Sequence, residues 1–254
     1  MVNGQPLFSI VTACRNSSST IERTILSVLR QSFNDYEYQI VDGASTDSTV
    51  EIIKKYAPLF KGKLNWISER DTGIYNAFNK GIKMCRGKYI WIVNSDDWIE
   101  DDALNNLYTF IKNNPKPIII GRMNLVSNNK KITKTSSMLS DIKVKETYEK
   151  DYMIPHPATL ISSNTYQLHG YYDERLYIAA DMDYFNMLYK KNVEMAYLNE
   201  VIINFSYGGI STNKLYRKEL RDRHLIFLKK YGHSMHYLMA MVRWHLHFIK
   251  DYIK

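Results

Sequence analysis

Short apolar segments alternate with helical patterns in the first half of the chain, and this order restricts the fold more than any other feature. Four segments have the length and apolar character of buried strands: residues 7–13, 38–41, 64–67 and 89–93. Helical patterns follow the first three of them, at residues 19–31, 48–56 and 73–84. The βαβαβαβ order predicts an α/β fold with a Rossmann-like, mostly parallel, doubly wound sheet and helices on both faces.

Two pairs of serine and glutamate predict where the first two helices begin. Ser19 precedes Glu22 by three residues, and Ser48 precedes Glu51 by the same interval. This is the spacing of a capping box, in which each side chain bonds to the backbone amide of the other residue. We therefore expect helix starts at Ser19 and Ser48.

The second half of the chain is less regular. Residues 118–127 and 131–135 indicate a hairpin that turns at Asn128 and Asn129. The patterns that follow predict, in order, a polar loop, a helix, strands and a glycine-containing loop. These lie at residues 140–152, 181–190, 194–205 and 207–213.

The composition excludes several classes of protein. Hydrophobic residues make up 45% of the chain and charged residues 24%, which is typical of a globular protein with a sizeable core. The only two cysteines, Cys14 and Cys85, have no zinc-binding neighbourhood, so we expect a reducing, cytoplasmic compartment and no disulfide framework. The chain shows neither a secretory signal nor an apolar run of about 18 residues, and we expect no membrane span.

Polar clusters follow the predicted strands at their carboxyl ends, where ligands bind in open α/β sheets. Asp42 comes after three apolar residues, so its carboxylate is expected to project into this crevice and accept a hydrogen bond from a base or ribose. Asp96 and Asp97 follow the fourth strand, and two adjacent buried carboxylates repel each other unless a cation neutralises them. A divalent metal ion with phosphate oxygens among its ligands would do so.

Several well-known active-site motifs are missing from the sequence. There is no G-x-x-x-x-G-K-[ST] phosphate loop, no G-x-G-x-x-G after the first strand and no G-x-S-x-G elbow. P-loop, dinucleotide-binding and serine-hydrolase functions are therefore disfavoured. A carboxylate pair at a strand end, without a phosphate loop, suits a nucleoside diphosphate that is held through a metal ion.

Five collinear segments resemble a family 2 glycosyltransferase of the GT-A nucleotide-sugar fold, over about residues 8–211. They are FSIVTACRN, QIVDGASTDST, SERDTGIYNAFNKGI, GKYIWIVNSDD and YIAADMDYF. The resemblance implies a catalytic domain over residues 1–213. Its nucleotide-sugar half would end near residue 97, and its acceptor half would follow.

The resemblance also implies roles for individual residues. Nucleotide-binding roles fall to Thr12, Arg15, Asp42, Arg70, Asp71, Asn76, Lys80, Asn94 and Ser95. Among these, Asp42 matches the acid that accepts the N3–H of a pyrimidine. Asp96 would ligate Mg²⁺ or Mn²⁺, and Asn94 departs from the family pattern, in which aspartate is usual. This departure bears on metal affinity more than on activity.

On the acceptor side, Asp181 matches the general base of the family. His156 and Asp183 are placed on the same side, although a structural turn histidine is an equal alternative for His156. Residues 207–211 resemble a segment that closes on the diphosphate, with a simple turn as the alternative. One base and one metal ion imply single displacement, and therefore inversion of the anomeric centre.

The implied enzyme is a metal-dependent hexosyl- or N-acetylhexosaminyl-transferase. It would use a UDP-sugar and a glycan or lipid-linked glycan acceptor in bacterial surface polysaccharide synthesis. A catalytically weak or inactive relative that binds nucleotide-sugar or a partner remains the alternative. A nucleic-acid-binding protein is disfavoured because the catalytic part is nearly neutral and lacks a recognition motif.

Residues 214–254 are strongly basic. They hold ten Lys and Arg against three Asp and Glu, which accounts for +7 of the net charge of +8. Apolar and aromatic residues recur there at helical spacing, which predicts an amphipathic helical tail. This tail either packs on the catalytic domain or a second subunit, or lies in the headgroup layer of an anionic membrane on its cytoplasmic face.

Overall fold

The computed structural model describes residues 4–127, 132–136, 139–140, 154–176 and 180–206. The polar loop predicted over residues 140–152 lies outside the described residues from residue 141 onward, and so do the glycine-containing loop from residue 207 and the basic tail. Within the described part of the chain, no helix is long and apolar enough to cross a membrane.

The first half of the chain has the predicted βαβ order. Its elements are β1 (Phe8–Cys14), α1 (Ile21–Leu29), β2 (Tyr36–Asp42), α2 (Thr49–Tyr56), β3 (Leu64–Ser68), α3 (Ile74–Met84) and β4 (Tyr89–Ile92). A short 3-10 helix, Ala57–Phe60, lies between α2 and β3. The strands pair in parallel in the order β3-β2-β1-β4, which confirms the predicted sheet.

The second half extends the same sheet with antiparallel and parallel pairs. Its elements are β5 (Trp98–Ile99), α4 (Ala103–Asn113), β6 (Ile118–Val126), β7 (Ile132–Thr135), β8 (Thr159–Ser162), α5 (Ser163–His169), α6 (Ala180–Lys190) and β9 (Met195–Ser206), with a 3-10 helix at His156–Ala158. β6 and β7 pair antiparallel, as the predicted hairpin requires. The long β9 pairs with β6 in parallel and with β5 antiparallel.

Two apolar clusters pack on opposite faces of the sheet. One contains buried side chains of α1, α2 and α4, and the other contains those of α3, α5 and α6. Alternate residues of β1 serve the two clusters: Phe8 and Ile10 face the first, and Val11 and Ala13 face the second. The helices therefore cover both faces, as predicted.

The two predicted capping boxes do not form. α1 begins at Ile21, and neither α1 nor α2 has a side-chain hydrogen bond at its N-cap. Glu22 instead accepts hydrogen bonds from the Tyr56 hydroxyl (2.5 Å) and from Lys55 (3.1 Å). The Asp47 carboxylate accepts hydrogen bonds from the Ser18 amide (3.1 Å), in the turn before α1, and from the Thr49 amide (3.0 Å), the first residue of α2.

Candidate nucleotide and acceptor site

The ends of β1 and β4 form the centre of the candidate site, because the chain leaves these two strands toward opposite edges of the sheet. The Ser17 and Ser95 hydroxyls share a hydrogen bond of 2.9 Å across this switch point. The Val93 amide donates to the Val11 carbonyl at 2.9 Å, which continues the pairing to the end of β4. Residues 94–96 therefore lie beside the turn that follows β1.

Thr12 belongs to the sheet core and not to the crevice. Its side chain is fully buried, where the hydroxyl donates to the Val93 carbonyl (2.8 Å) and accepts from the Tyr38 hydroxyl (2.9 Å). We therefore correct the predicted nucleotide contact, because this side chain uses its hydrogen bonds inside the protein. Arg15, by contrast, is exposed at the end of β1.

Asp96 and Asp97 have very different surroundings. Asp97 is fully buried, and its two carboxylate oxygens accept hydrogen bonds from the Ser206 amide (2.8 Å) and from Asn94 Nδ2 (3.0 Å). Burial, followed by the charge of Asp96, raises the pKa of Asp97 well above its usual range. Asp96 is half-buried, and the bonds that it accepts from the side chains of Arg23 and Ser206 reach its backbone carbonyl. Its carboxylate is the one left for a ligand.

Arg23 supplies positive charge next to this pair. Its guanidinium carbon lies 3.8 Å from the centroid of the Trp98 ring, and its Nη2 donates to the Asp96 carbonyl at 2.5 Å. The charge of Arg23 lowers the pKa of both carboxyls, against the larger effect of burial. The cation that the sequence predicts beside the two aspartates is thus supplied in part by the protein itself.

Asn94 and Asp96 offer oxygen atoms of the kind that Mg²⁺ and Mn²⁺ prefer. The Asn94 amide nitrogen is bound to Asp97, so its carbonyl oxygen is the atom available to a metal ion. The described residues contain no group of three or more His, Cys, Asp or Glu side chains that could hold a metal ion. The two residues therefore fit an ion that takes its remaining ligands from a nucleoside diphosphate.

Asp42 ends β2 but does not project into the crevice. Its side chain is 0% exposed, and both carboxylate oxygens accept hydrogen bonds from the protein. The donors are the Ser45 amide (3.0 Å) and hydroxyl, the Ser68 hydroxyl (2.6 Å) and the Cys14 thiol (3.7 Å). We therefore correct the prediction that this carboxylate accepts a pyrimidine N3–H. It joins the ends of β1, β2 and β3 instead.

Residues 69–71 follow β3 at the same edge of the sheet. Lys80 of α3 holds them in place, since its Nζ contacts the Arg70 carbonyl (2.9 Å) and the Glu69 carboxylate (2.7 Å). Asp71 Oδ1 accepts a hydrogen bond from the Gly73 amide at 3.0 Å. The Arg70 side chain is exposed. Lys80 thus positions this loop, and Arg70 and Asp71 remain available to a ligand.

α3 connects the two halves of the domain through two asparagines. Asn76 Nδ2 donates to Glu174 at 2.7 Å, and Asn79 Nδ2 donates to Glu174 at 2.8 Å and to the Tyr172 carbonyl at 2.9 Å. Asn76 was expected near the donor, and the structure binds its amide to the acceptor half instead. The two asparagines fix α3 against residues 172–174.

Asp181 is the second residue of α6 and is half-buried. Its Oδ1 accepts a hydrogen bond of 2.9 Å from the Tyr75 hydroxyl of α3, and Oδ2 has no hydrogen-bond partner among the residues that the structure describes. Burial raises the pKa of Tyr75 well above its usual range, so the phenol stays a donor. Asp183 is only 6% exposed. The two aspartates therefore have different surroundings.

His156 lies inside an aromatic cluster behind Tyr75. Its ring stacks on Phe78 with centroids 5.8 Å apart, and its Nε2 shares a hydrogen bond of 2.9 Å with the Tyr172 hydroxyl. Burial lowers the pKa of His156, which keeps the ring neutral at physiological pH. The structural alternative for His156 is confirmed, and its expected place on the acceptor surface is corrected. Asp183, also expected there, is buried as well.

A comparison with known protein families identifies the chain. The model described as "Glycosyl transferase family 2" matches residues 9–176, which is more than half of the sequence. The chain belongs to this family. The predicted resemblance is confirmed, and the match includes the ends of β1, β2, β3 and β4 in this glycosyltransferase.

Two relatives of this glycosyltransferase come from bacteria. The PGL/p-HBAD biosynthesis glycosyltransferase of Mycobacterium tuberculosis (strain ATCC 25177 / H37Ra) is 28% identical over 228 residues, which cover 86% of this chain and 84% of that protein. The poly(ribitol-phosphate) beta-N-acetylglucosaminyltransferase TarP of Staphylococcus aureus (strain N315) is 32% identical over 130 residues, covering 50% of this chain and 39% of its own.

A solved structure confirms the GT-A type of fold. S. aureus TarS 1-349 in complex with UDP-GlcNAc matches with a TM-score of 0.67 at 19% sequence identity. The match covers 87% of this glycosyltransferase and 66% of that chain, so this chain spans just under two thirds of that TarS fragment. At this level of identity, the likeness concerns the fold alone.

Several residues of the site have no counterpart among the predicted ones. They are Arg23, Tyr75, Asn79 and Glu174. Helical periodicity contained a signal for two of them, because Tyr75, Asn76, Asn79 and Lys80 recur on neighbouring faces of α3. Arg23 and Glu174 gave no signal, since each reaches its partner from a distant part of the sequence.

Replacing Tyr75 tests the contact to Asp181. Tyr75→Phe keeps the ring in its aromatic cluster but removes the hydrogen bond to the carboxylate. We expect sugar transfer to fall about 10- to 100-fold, since a hydrogen bond to a charged group contributes about 1.5–3 kcal/mol. The affinity for UDP, measured by calorimetry, should not change. A loss of UDP affinity equal to the loss of transfer would contradict a role at Asp181.

The buried His156 predicts a stability that depends on pH. Its pKa is lower in the folded protein than in the unfolded chain, so the unfolded chain binds more protons as the pH falls below about 6.5. The free energy of unfolding should therefore decrease by about 1 kcal/mol between pH 7.5 and pH 5.5. His156→Phe should lack this part of the decrease. Urea unfolding of the wild type and of His156→Phe at both pH values checks this prediction. An equal decrease in the free energy of unfolding for the two proteins would contradict it.

Proposed function

We propose that this protein transfers a sugar from a UDP-sugar to a hydroxyl group of a glycan or lipid-linked glycan, with inversion of the anomeric centre. The observation that carries the proposal is the half-buried Asp181 carboxylate, one oxygen of which is held by Tyr75. The names of the relatives support a role in bacterial cell-surface glycans, among them TarP and the teichuronic acid protein TuaG of Bacillus subtilis (strain 168).

The donor would bind along the carboxyl ends of the parallel strands. Solved TarS structures contain UDP and UDP-GlcNAc, which supports a UDP-sugar and a hexosyl or N-acetylhexosaminyl group. In this protein, Arg15 and Arg70 are exposed after β1 and β3, where their charges would attract a diphosphate. Ser95 and the turn after β1 would contact the nucleotide at the switch point.

Asp96 and the Asn94 carbonyl oxygen would hold Mg²⁺ or Mn²⁺ together with the diphosphate. When bound, the ion neutralises the charge that develops on the leaving diphosphate. Asp97 keeps Asn94 in place through the 3.0 Å hydrogen bond, and Ser206 keeps Asp97 in place through its amide. Arg23 adds a fixed positive charge beside the same strand end.

Asp181 would remove the proton of the acceptor hydroxyl. Tyr75 orients the carboxylate through Oδ1, which leaves Oδ2 to face the acceptor. The described residues bring no second carboxylate into contact with Tyr75. A single base acting on a single displacement inverts the configuration at the transferred carbon.

The proposal has two parts outside the described residues. Residues 214–254 would attach the protein to an anionic membrane surface at the cytoplasmic face, or would pack on the catalytic domain or on a second copy in a homodimer. Flotation with vesicles of phosphatidylglycerol distinguishes membrane attachment from packing on protein. Attachment to the anionic membrane should cause flotation at low salt that is lost at high salt, because salt screens the charges. We also propose that the catalytic domain ends at residue 213, where the basic tail begins.

A donor screen tests the proposed activity. The full-length protein would be mixed with UDP-, dTDP- and GDP-sugars in Mn²⁺ or EDTA, and release of the nucleotide would be measured. We expect metal-dependent turnover of a UDP-sugar, and proton NMR of the first-formed product should show the inverted anomer. Binding of UDP without turnover of any donor would favour the alternative of a catalytically inactive subunit.

A further inference from the structure

Leu168 and Tyr171 are two exposed apolar side chains at the end of α5. Leu168 is 68% exposed, more than any other large apolar side chain that the structure describes, and Tyr171 is 40% exposed. The Tyr171 ring stacks on Tyr166 of α5, with centroids 6.2 Å apart, so it lies over the helix that carries Leu168. Neighbouring apolar side chains that are exposed in this way are suited to contact with a partner.

Exposed lysines lie beside these two side chains. Lys83 of α3 places its Nζ 5.3 Å from the centroid of the Tyr171 ring. Lys191, which directly follows α6, places its Nζ 3.4 Å from Nδ1 of His169, the neighbour of Leu168. Both lysines are exposed. Leu168, Tyr171, Lys83 and Lys191 form one continuous area, which we call the α5 surface.

The charge of the α5 surface restricts what can cover it. Its four residues include two cations and no acid. Residues 214–254 carry a net charge of +7, so electrostatic repulsion disfavours the tail as the occupant. A second copy that presents the same surface would also bring lysines against lysines. The surface is therefore complementary to a partner that is both anionic and able to accept apolar side chains.

The α5 surface lies at the end of the sheet opposite to the candidate nucleotide site. The Ser163 amide donates to the Lys88 carbonyl at 2.9 Å, so α5 begins beside the amino end of β4, whereas Asp96 follows the carboxyl end. α6 extends from Asp181 to Lys190, which is about 14 Å along its axis. A partner on the α5 surface would thus leave the nucleotide crevice open to a water-soluble donor.

We propose that the α5 surface docks the catalytic domain on an anionic membrane. Leu168 and Tyr171 would enter the headgroup layer, and Lys83 and Lys191 would contact lipid phosphates. Apolar burial and attraction to anionic lipids add in such a contact. The inference rests on the proposed lipid-linked acceptor and extends that proposal, because it gives the catalytic domain a membrane contact of its own, separate from residues 214–254.

Flotation of the full-length protein with vesicles tests the role of the lysines. Lys83→Glu with Lys191→Glu should weaken binding to phosphatidylglycerol vesicles at least about 30-fold, since each basic residue near an anionic surface contributes about fivefold. Lys54→Glu with Lys112→Glu is the matched control. It changes the net charge equally, at exposed positions of α2 and α4 on the other face of the sheet, and should weaken binding far less.

A second pair of variants tests the apolar contact. Leu168→Glu should weaken vesicle binding about tenfold or more, because a leucine side chain that is buried in the membrane is lost. Leu59→Glu is the control, since Leu59 is also exposed (55%) but lies in the 3-10 helix between α2 and β3. It should bind vesicles as the wild type does. The melting temperatures of all four variants should stay close to that of the wild type.

The outcomes separate this inference from the proposed function. If the wild type does not float, or if the α5-surface variants float as well as their controls, the inference is wrong. Loss of binding to a DNA oligonucleotide in these variants, with unchanged flotation, would assign the surface to nucleic acid instead. Turnover of a UDP-sugar with a water-soluble acceptor should be equal in all variants. A wild type that floats but turns over no donor would contradict the proposed function alone.

Discussion

Asp181→Asn should lower sugar transfer by about 10²- to 10⁴-fold, the usual contribution of a general base. The amide can still accept the hydrogen bond from the Tyr75 hydroxyl, so the local structure should be kept. The proposed donor site lies beyond the strand ends in the other half of the domain, so UDP affinity should not change. Transfer would be measured with the donor that the screen identifies, and UDP affinity by calorimetry.

Asp183→Asn is the control within the same helix. Asp183 is 6% exposed and lies against the protein interior, so its replacement should act on stability more than on catalysis. Asp183→Asn should therefore lower the melting temperature and reduce transfer less than Asp181→Asn does. If Asp181→Asn loses melting temperature in proportion to activity, Asp181 supports the start of α6 and the base lies elsewhere. Retention of the anomeric configuration in the product would also exclude this base.

Asp96→Ala should abolish Mn²⁺-dependent UDP binding and transfer. Asp96 is the carboxylate at the end of β4 without a hydrogen bond from another described side chain, so its loss removes the charged ligand of the proposed ion. The melting temperature in EDTA should rise or stay the same, because burial already disfavours the charge of Asp96. Full transfer by Asp96→Ala in EDTA would contradict the metal-dependent mechanism.

Asn94→Asp is the companion variant, and the structure changes what we expect of it. From the sequence alone, a second aspartate should keep activity or strengthen metal binding. The Asn94 amide, however, donates to Asp97 at 3.0 Å, so the variant would place two carboxylates against each other. We expect a lower melting temperature in EDTA and a larger increase on addition of Mn²⁺ than in the wild type. Equal melting temperatures in EDTA would contradict the importance of this hydrogen bond.

The parallel half of the fold could be predicted from the sequence because its signals are local. Apolar segments such as residues 89–93 have the length of strands, and the polar residues that follow them mark the strand ends. The predicted capping boxes were wrong and α1 begins at Ile21, whereas α2 begins directly after Ser48, as predicted. Asp47 bonds to a backbone amide near each helix start, and no local spacing reveals these bonds. α4 and α5 were not predicted.

The segments that form the candidate site could be predicted from the sequence, but the carboxylate oxygens that are available to a ligand could not. The sequence places Asp42, Asp71 and Asp96 at the carboxyl ends of three strands of the parallel sheet, and the structure agrees with this placement. Which carboxylate is open depends on partners far along the chain. Ser68 of β3 donates a hydrogen bond to the Asp42 carboxylate, and the Ser206 amide of β9 donates one to the Asp97 carboxylate. Such contacts depend on tertiary packing, so they cannot be predicted from the sequence of a single segment.

The bridge made by Asp47 has a consequence for phosphate recognition. Many folds bind phosphate at the first turn of a helix, where free backbone amides and the helix dipole attract an anion. Here a carboxylate already lies at the start of α2 and at the turn before α1, and it accepts the amide hydrogens there. Neutralising a diphosphate therefore falls to mobile ions and arginine side chains, and we expect nucleotide affinity to weaken steeply as ionic strength rises.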